Sequence, residues 1–200
     1  TYSEGNGLNW QSQHPPLYYL LLSPIYLSTK HLSWGAQLFI LRLTSYLFAW
    51  SALIIGCFIY LNRIHSNSYK ADERIYYWIT IGFGIWPILF PSWFPEMARM
   101  GNDSLCALIM ALIWAVSLRA CSKGLSLVYA FAIGLFLGIG CLTKSFFVPV
   151  TVGVVGFFVI RQWSLEGTQR LKFFILCLPA MILTTALVSG WWYFMNWYQH

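Results

Sequence analysis

The chain has 200 residues, 58% of them hydrophobic and only 9% charged, with a mean hydropathy of +0.63. A soluble domain carries about 25% charged residues, so a water-facing fold is excluded and a multi-span helical membrane protein is expected. The formal net charge of +6 arises from basic residues scattered singly between apolar runs, which argues for a topological signal and against a nucleic-acid partner.

The chain begins at Thr1 without an initiating Met or a signal sequence, and it stops at His200 just after an aromatic cluster. A piece of a longer protein, with at least one span upstream, is therefore expected. Residues 1–33 read as an external loop. Within it, QSQHPPLYYLLLSPIYL places a polar His-Pro-Pro corner against an apolar, aromatic run. About 15 helical residues would extend roughly 22 Å, too short to span a bilayer. Pro15 and Pro16 suit a first helical turn, where their missing N–H groups cost little. The expectation is a juxtamembrane helix lying in the outer interface, with Tyr18 and Tyr19 at headgroup level and Pro24 kinking or ending it. His14 stands at its entrance, where helix N–H groups favour an anion, although a His beside proline is also a common turn residue.

Residues 34–200 read as a transmembrane bundle of about six spans: Trp34 to Leu61, Tyr76 to Phe94, Ser104 to Leu118, Leu125 to Leu142, Phe146 to Ile160 and Phe173 to Phe194. The third and fifth are short. Arg63, Lys70, Arg74, Arg119, Lys123, Arg161, Arg170 and Lys172 fall on one side of this bundle, which the positive-inside rule makes cytoplasmic. The opposite, external side receives the amino-terminal segment, the loop at Pro95 to Asn102, the corner at Thr143 to Ser145 and an aromatic belt of Trp191, Trp192, Trp197 and Tyr198. Cys57, Cys106, Cys121, Cys141 and Cys177 lie in or at the ends of apolar segments without ligand spacing, and read as small packing residues.

With this topology Glu4, His14, Arg42, Glu96, Arg99, Asp103 and Lys144 all map to external ends. Charges at a membrane edge are costly and usually face a cavity or a partner. Each has a plainer role. Asp103 in RMGNDSLCALIMAL stands where a helix cap belongs, and Lys144 in GIGCLTKSFFVPV can cap the preceding helix carbonyls. Glu96 and Arg99 have the spacing of a local ion pair. Arg42 can snorkel outward or meet a phosphate. Pro87, Pro91 and Pro95 break the outer half of the second span, as happens where backbone lines a cavity.

The ordered segments HPPLYYLL, LRLTSYLFAWSALIIGCFIY, GNDSLCALIMAL and GLFLGIGCLTKSFFVPV resemble polytopic glycosyltransferases that use a polyprenyl-phosphate sugar. Protein O-mannosyltransferases and aminoarabinose transferases belong to that group. The resemblance runs from about Gln13 to Asn196. It implies an all-α membrane fold and transfer of a sugar from the lipid phosphate to a glycan, lipid or protein acceptor at the external or lumenal face of a membrane, the bacterial plasma membrane before the endoplasmic reticulum. Carried over, His14 matches the corner near the donor phosphate, Asp103 the acidic residue opening a later span, and Lys144 the Lys of a Leu-Thr-Lys motif. Arg99 and Arg42 are further candidates for the donor phosphate, and Asp103 and Glu4 for the base. Two departures stand out. Met195 occupies a place where the family often has Arg, and only Glu4 precedes His14, where the family normally carries an acidic pair. No organic cofactor is implied, and a divalent metal is left open. The competing readings are a transporter or flippase, for which an internal repeat is expected but not seen, and a scaffold of the same fold without catalysis.

Overall fold

The computed structural model describes residues 15–66, 81–82, 85, 92–163 and 167–199. Every regular element among the described residues is a helix: α1 (Leu17–Thr29), α2 (Trp34–Ser66), α3 (Trp93–Met97), α4 (Asp103–Lys123), α5 (Leu127–Cys141), α6 (Phe147–Trp163), α7 (Gly167–Lys172), a π-helical turn (Phe173–Cys177) and α8 (Leu178–Gln199). By length and composition, three helices can cross a membrane: Trp34–Ile59, Asp103–Lys123 and Thr168–Tyr198. Most of the second expected span, Tyr76 to Phe94, lies outside the described residues.

At the fourth and fifth expected spans stand the apolar helices α5 and α6, which are shorter than the three that can cross a membrane. Several boundaries are longer than hydropathy suggests. Helix α2 continues past Leu61 to Ser66, and α4 past Leu118 to Lys123. The basic residues Arg63, Arg119 and Lys123 therefore lie on helices rather than in loops, and Lys123 is in the last turn of α4, where a cation complements the helix dipole. Arg170 and Lys172 are likewise helical, and the helix that carries them runs on through the π turn into α8. Pro179 explains that turn. It has no N–H to give and its ring crowds the preceding carbonyls, so the backbone widens just before it, with Leu178 N–H donating to Phe173 O.

The helices form a row in which α2 packs on α4, α4 on α5, and α5 on α8, with α6 beside α5 and α8. The closest approach is α5 to α8. Ala130, Gly134 and Gly138 lie four residues apart on the α5 face turned to α8 and are buried. A Cβ placed on Gly134 would come 2.5 Å from Met181 O, and one on Gly138 would come 2.6 Å from Val188 Cβ. Small residues at this spacing let two membrane helices touch along their backbones, and Thr185 Oγ1 donates across to Gly134 O at 3.0 Å. The apolar core runs through Tyr18, Ile109, Ile113, Ile133, Leu137, Phe147, Phe158 and Met181. Outside it, Phe39, Ile54 and Phe58 of α2 and Val152 and Ile160 of α6 remain exposed, as on a surface facing lipid tails.

Helix α1 (Leu17–Thr29) is the short helix expected in the amino-terminal segment, and it packs on a neighbour. It runs antiparallel beside the first third of α2, as two contacts eight residues apart on each helix show. Tyr18 meets Ser45 at 2.6 Å, and Gln37 Nε2 donates to Tyr26 O at 3.0 Å. Its buried stripe begins with Tyr18 and Leu22, and Tyr19, Leu20, Leu21, Tyr26 and Leu27 face outward. Pro24 does not end it. The helix continues to Thr29, where Ser28 Oγ and Thr29 Oγ1 donate back to Pro24 O and Ile25 O at 2.8 and 2.7 Å.

Candidate functional site

Four of the segments singled out in the sequence converge at one end of the bundle. The centre is the corner between α5 and α6. There the last turn of α5 closes through Leu142 N–H to Gly138 O (3.0 Å), while Thr143 and Lys144 N–H both reach Gly140 O (2.8 and 2.9 Å). Gly140 admits the Phe147 ring, which occupies the space a side chain would fill. Thr143 is fully buried and donates its hydroxyl to Ile139 O at 2.9 Å. With the turn thus closed, the carbonyls of residues 141 to 143 point away from the helix and are available to other segments.

Each is taken by a different one. Leu17 N–H, in the first turn of α1, donates to Leu142 O at 3.0 Å. Asn102 Nδ2 donates to Thr143 O at 2.7 Å. Tyr193 Oη, on α8, donates to Cys141 O at 3.0 Å. The Pro-Pro-Leu segment, the Gly-Asn-Asp segment and the aromatic carboxy-terminal segment are therefore all seated on the Leu-Thr-Lys corner through backbone carbonyls. Sequence reasoning did not single out Asn102, Thr143 or Tyr193 as functional positions. Their neighbours Asp103, Lys144 and Trp192 drew attention through charge or size, whereas these three act as hydrogen-bonding partners that only the fold reveals.

Over this base stands one ion pair. Asp103 Oδ1 and Lys144 Nζ are 2.5 Å apart, with their side chains 49% and 39% exposed. Neither plays the plain local part available to it. Asp103 is the first residue of α4 rather than its cap, so its carboxylate still complements the dipole there. Asn102 occupies the cap position but spends its side chain on Thr143 O. Lys144 caps through its backbone N–H and sends its ammonium to Asp103. Ser104 lies directly beneath, 1% exposed, with a hydroxyl that finds no partner among the described residues.

Tyr18 supplies the wall toward α2. It is fully buried, and because Ser45 Oγ donates to Leu41 O at 3.2 Å, the Tyr18 hydroxyl is the donor to Ser45. Burial holds the phenol above its ordinary pKa, against the pull of Ser45 and the Gly101 backbone, so it stays neutral. Beside it an apolar cavity of about 300 Å³ opens between α1 and α2, lined by Tyr18, Tyr19, Leu22, Tyr26, Leu41 and Met100. A second aromatic contact, the triad Tyr46, Trp50 and Trp93 with ring centroids 5.8 to 6.0 Å apart, fastens α3 to α2.

The other sequence candidates fall differently. His14 and Glu4 lie outside the described residues, the former immediately before the described Pro15. Arg99 pairs with Glu96 at 3.7 Å, with both side chains exposed, as their spacing suggests. Arg42 is exposed on α2 and makes no ion pair among the described residues. It sits one turn before Ser45 on α2. Among the described residues no three His, Cys, Asp or Glu side chains gather as a metal cage, and the carboxylate at this site is engaged by an ammonium. The five cysteines are free thiols, three of them buried. Compared with protein-family models, curated proteins and solved structures, the chain gives no match.

Proposed function

We propose that the chain is the membrane part of a glycosyltransferase that takes its sugar from a polyprenyl phosphate, with the site at the α5–α6 corner. The observation that carries this reading is the convergence of the resembling segments on one set of carbonyls, with a half-exposed Asp103 and Lys144 above them. The proposed topology puts this corner on the external or lumenal side of a bundle of about six spans.

The chemistry requires few groups. An acceptor hydroxyl or amine attacks the anomeric carbon, forming the glycosidic bond as the bond from that carbon to the phosphate oxygen breaks. The acceptor proton passes to a carboxylate, with Asp103 the described candidate and Glu4 a second. The leaving polyprenyl phosphate takes up negative charge, which the Lys144 ammonium is placed to stabilise. His14, one residue before the docked proline pair, is a second donor for that phosphate. The apolar cavity between α1 and α2 adjoins this corner through Tyr18 and offers a path for the first isoprenoid units. The tyrosines of the Pro-Pro-Leu-Tyr-Tyr run thus serve as its wall.

A second reading draws on the same ion pair. Asp103 and Lys144 satisfy each other, as a structural clamp in a scaffold without turnover would also do. The deciding experiment follows release of polyprenyl phosphate from radiolabelled polyprenyl-phosphate sugars by the full-length protein in a lipid-like detergent. Wild type is compared with His14→Ala, Asp103→Asn and Lys144→Ala. Turnover that falls by about a hundredfold or more in variants that still fold supports the transferase. Donor binding without release from any sugar overturns it in favour of a scaffold or flippase.

A further inference from the structure

At the end of the bundle opposite Asp103 and Lys144 lies a cavity of about 420 Å³ that the proposed reaction does not use. It is built where α4 ends, α5 begins, α6 ends and the π turn starts. Lys123, Arg161 and Lys172 stand exposed at its edge, and Gln162, Phe173 and Cys177 line it from within. None of the three cations meets a carboxylate among the described residues. Arg161 spends one Nη2 bond on Cys121 O at 2.6 Å and keeps its other guanidinium donors. Arg170, by contrast, is stacked over Trp163 at 4.4 Å and takes no part.

Helix ends attract cations without any ligand, and capping alone accounts for Lys123 in the last turn of α4 and for the Arg161 bond to Cys121. It does not account for Gln162. This amide is 7% exposed, lines the cavity, and has no hydrogen-bond partner among the described residues. Its amide opens only onto the cavity, so a guest seated there meets it together with the three cations. The guest must be anionic and must accept several hydrogen bonds. It must also tolerate apolar neighbours, since Leu125 and Phe173 share the lining.

Position narrows the choice further. The 21 residues of α4 connect Asp103 at the transferase corner to Lys123 at this cavity, a distance of about 31 Å along the helix. That is close to the thickness of a bilayer's hydrocarbon core, about 30 Å. When one end lies at the headgroups of one leaflet, the other lies at the headgroups of the opposite leaflet. Basic pockets between membrane helices at that depth suit phosphate headgroups. We propose that this cavity binds the phosphate of an anionic phospholipid, held by Lys123, Lys172 and Arg161 with the Gln162 amide donating from beneath.

The full chain is reconstituted into nanodiscs of phosphatidylcholine alone or with phosphatidylglycerol, and bound phosphatidylglycerol is counted by native mass spectrometry after release. Lys123→Gln with Lys172→Gln should weaken its retention about tenfold or more, at roughly 1 kcal/mol per cation. Gln162→Glu, which sets a carboxylate where the phosphate would lie, should do the same with all three cations present. Lys30→Gln with Arg119→Gln removes as much charge from residues that do not line the cavity and should weaken retention far less. Melting in phosphatidylcholine discs checks that each variant folds, and Gln162→Glu decides the matter if the double variant does not. Equal retention in wild type and both cavity variants, or equal loss in the control, overturns the site. Binding of pyrophosphate in phosphatidylcholine discs without preferential retention of phosphatidylglycerol overturns the lipid and assigns the cavity to a soluble phosphate.

Discussion

Gly134 offers the sharpest test of the packing that holds the corner in place. Its replacement by Ala adds a single methyl, and in most helices that change is welcome by about 1 kcal/mol. Here the new Cβ would lie 2.5 Å from Met181 O and 3.0 Å from Thr184 Cβ. Ordinary contact begins at 3.4 Å, so the new atom lies about 0.9 Å too close to a backbone oxygen. Neither neighbour is the free end of a flexible side chain. Helices α5 and α8 must separate, which stretches the Thr185 bond to Gly134 O and loosens contacts along both helices. Overpacking of this kind costs about 1–3 kcal/mol. Gly153→Ala on α6 meets nothing within 4 Å and serves as the internal control, expected to be neutral or stabilising. Both variants are unfolded by dodecyl sulfate titration from mixed micelles and followed by Trp fluorescence. Equal midpoints for Gly134→Ala and Gly153→Ala would refute the backbone contact between α5 and α8.

Three further outcomes follow from the corner itself. Ser45→Ala should destabilise more than Tyr18→Phe, because it leaves the buried phenol donor without an acceptor at about 1–3 kcal/mol, whereas the phenylalanine leaves Ser45 still bonded to Leu41 O; paired thermal melts in detergent compare them. A double-mutant cycle on Asp103 and Lys144, each to Ala, should return a coupling of at most about 1 kcal/mol, since both side chains are roughly half exposed; a coupling above about 3 kcal/mol would make the pair a structural clamp. Leu17→Pro keeps a residue tolerated in a first helical turn but removes the N–H that meets Leu142 O, so limited proteolysis should cut α1 faster with the rest of the bundle intact.

Much of this arrangement was legible from residue types. Apolar length gave the helices, and the run CLTK between two apolar stretches gave a tight corner, because a lysine flanked by threonine and serine has no place inside a span. Asp103 was legible as the start of a helix. What the sequence hid were relations between segments. Nothing in LYYLLL states that Leu17 N–H will reach a carbonyl on α5, since every backbone N–H has the same chemistry and only the fold selects its partner. The packing of α1 along α2 was hidden for a related reason. Short length excludes spanning, but an apolar stripe beginning with Tyr18 and Leu22 packs as readily along another helix as onto a membrane surface. Gly134 and Gly138 carry a readable small-residue spacing, but only the fold shows which helix they admit.

The distribution of forces at the corner bears on what it is for. Its frame consists of backbone carbonyls, two side-chain donors and a glycine filled by an aromatic ring, all of them neutral and largely withdrawn from solvent. The charged pair adds little to that frame, because a half-exposed ion pair is screened and its members pay side-chain entropy to stay together. A fold that needed only to hold α4 against the α5–α6 corner had already done so through Asn102 and Thr143. Asp103 and Lys144 are therefore surplus to the architecture and are held one residue beyond the groups that fix it, at a level fixed by Leu17 on one side and Tyr193 on the other. Charges that are positioned by a neutral frame, and that contribute little to it, would be free to exchange partners with a phosphate, as the proposed function requires. The double-mutant cycle and the release assay thus form one argument: weak coupling in stability together with a large loss of turnover is the combination that a site produces and a clamp does not.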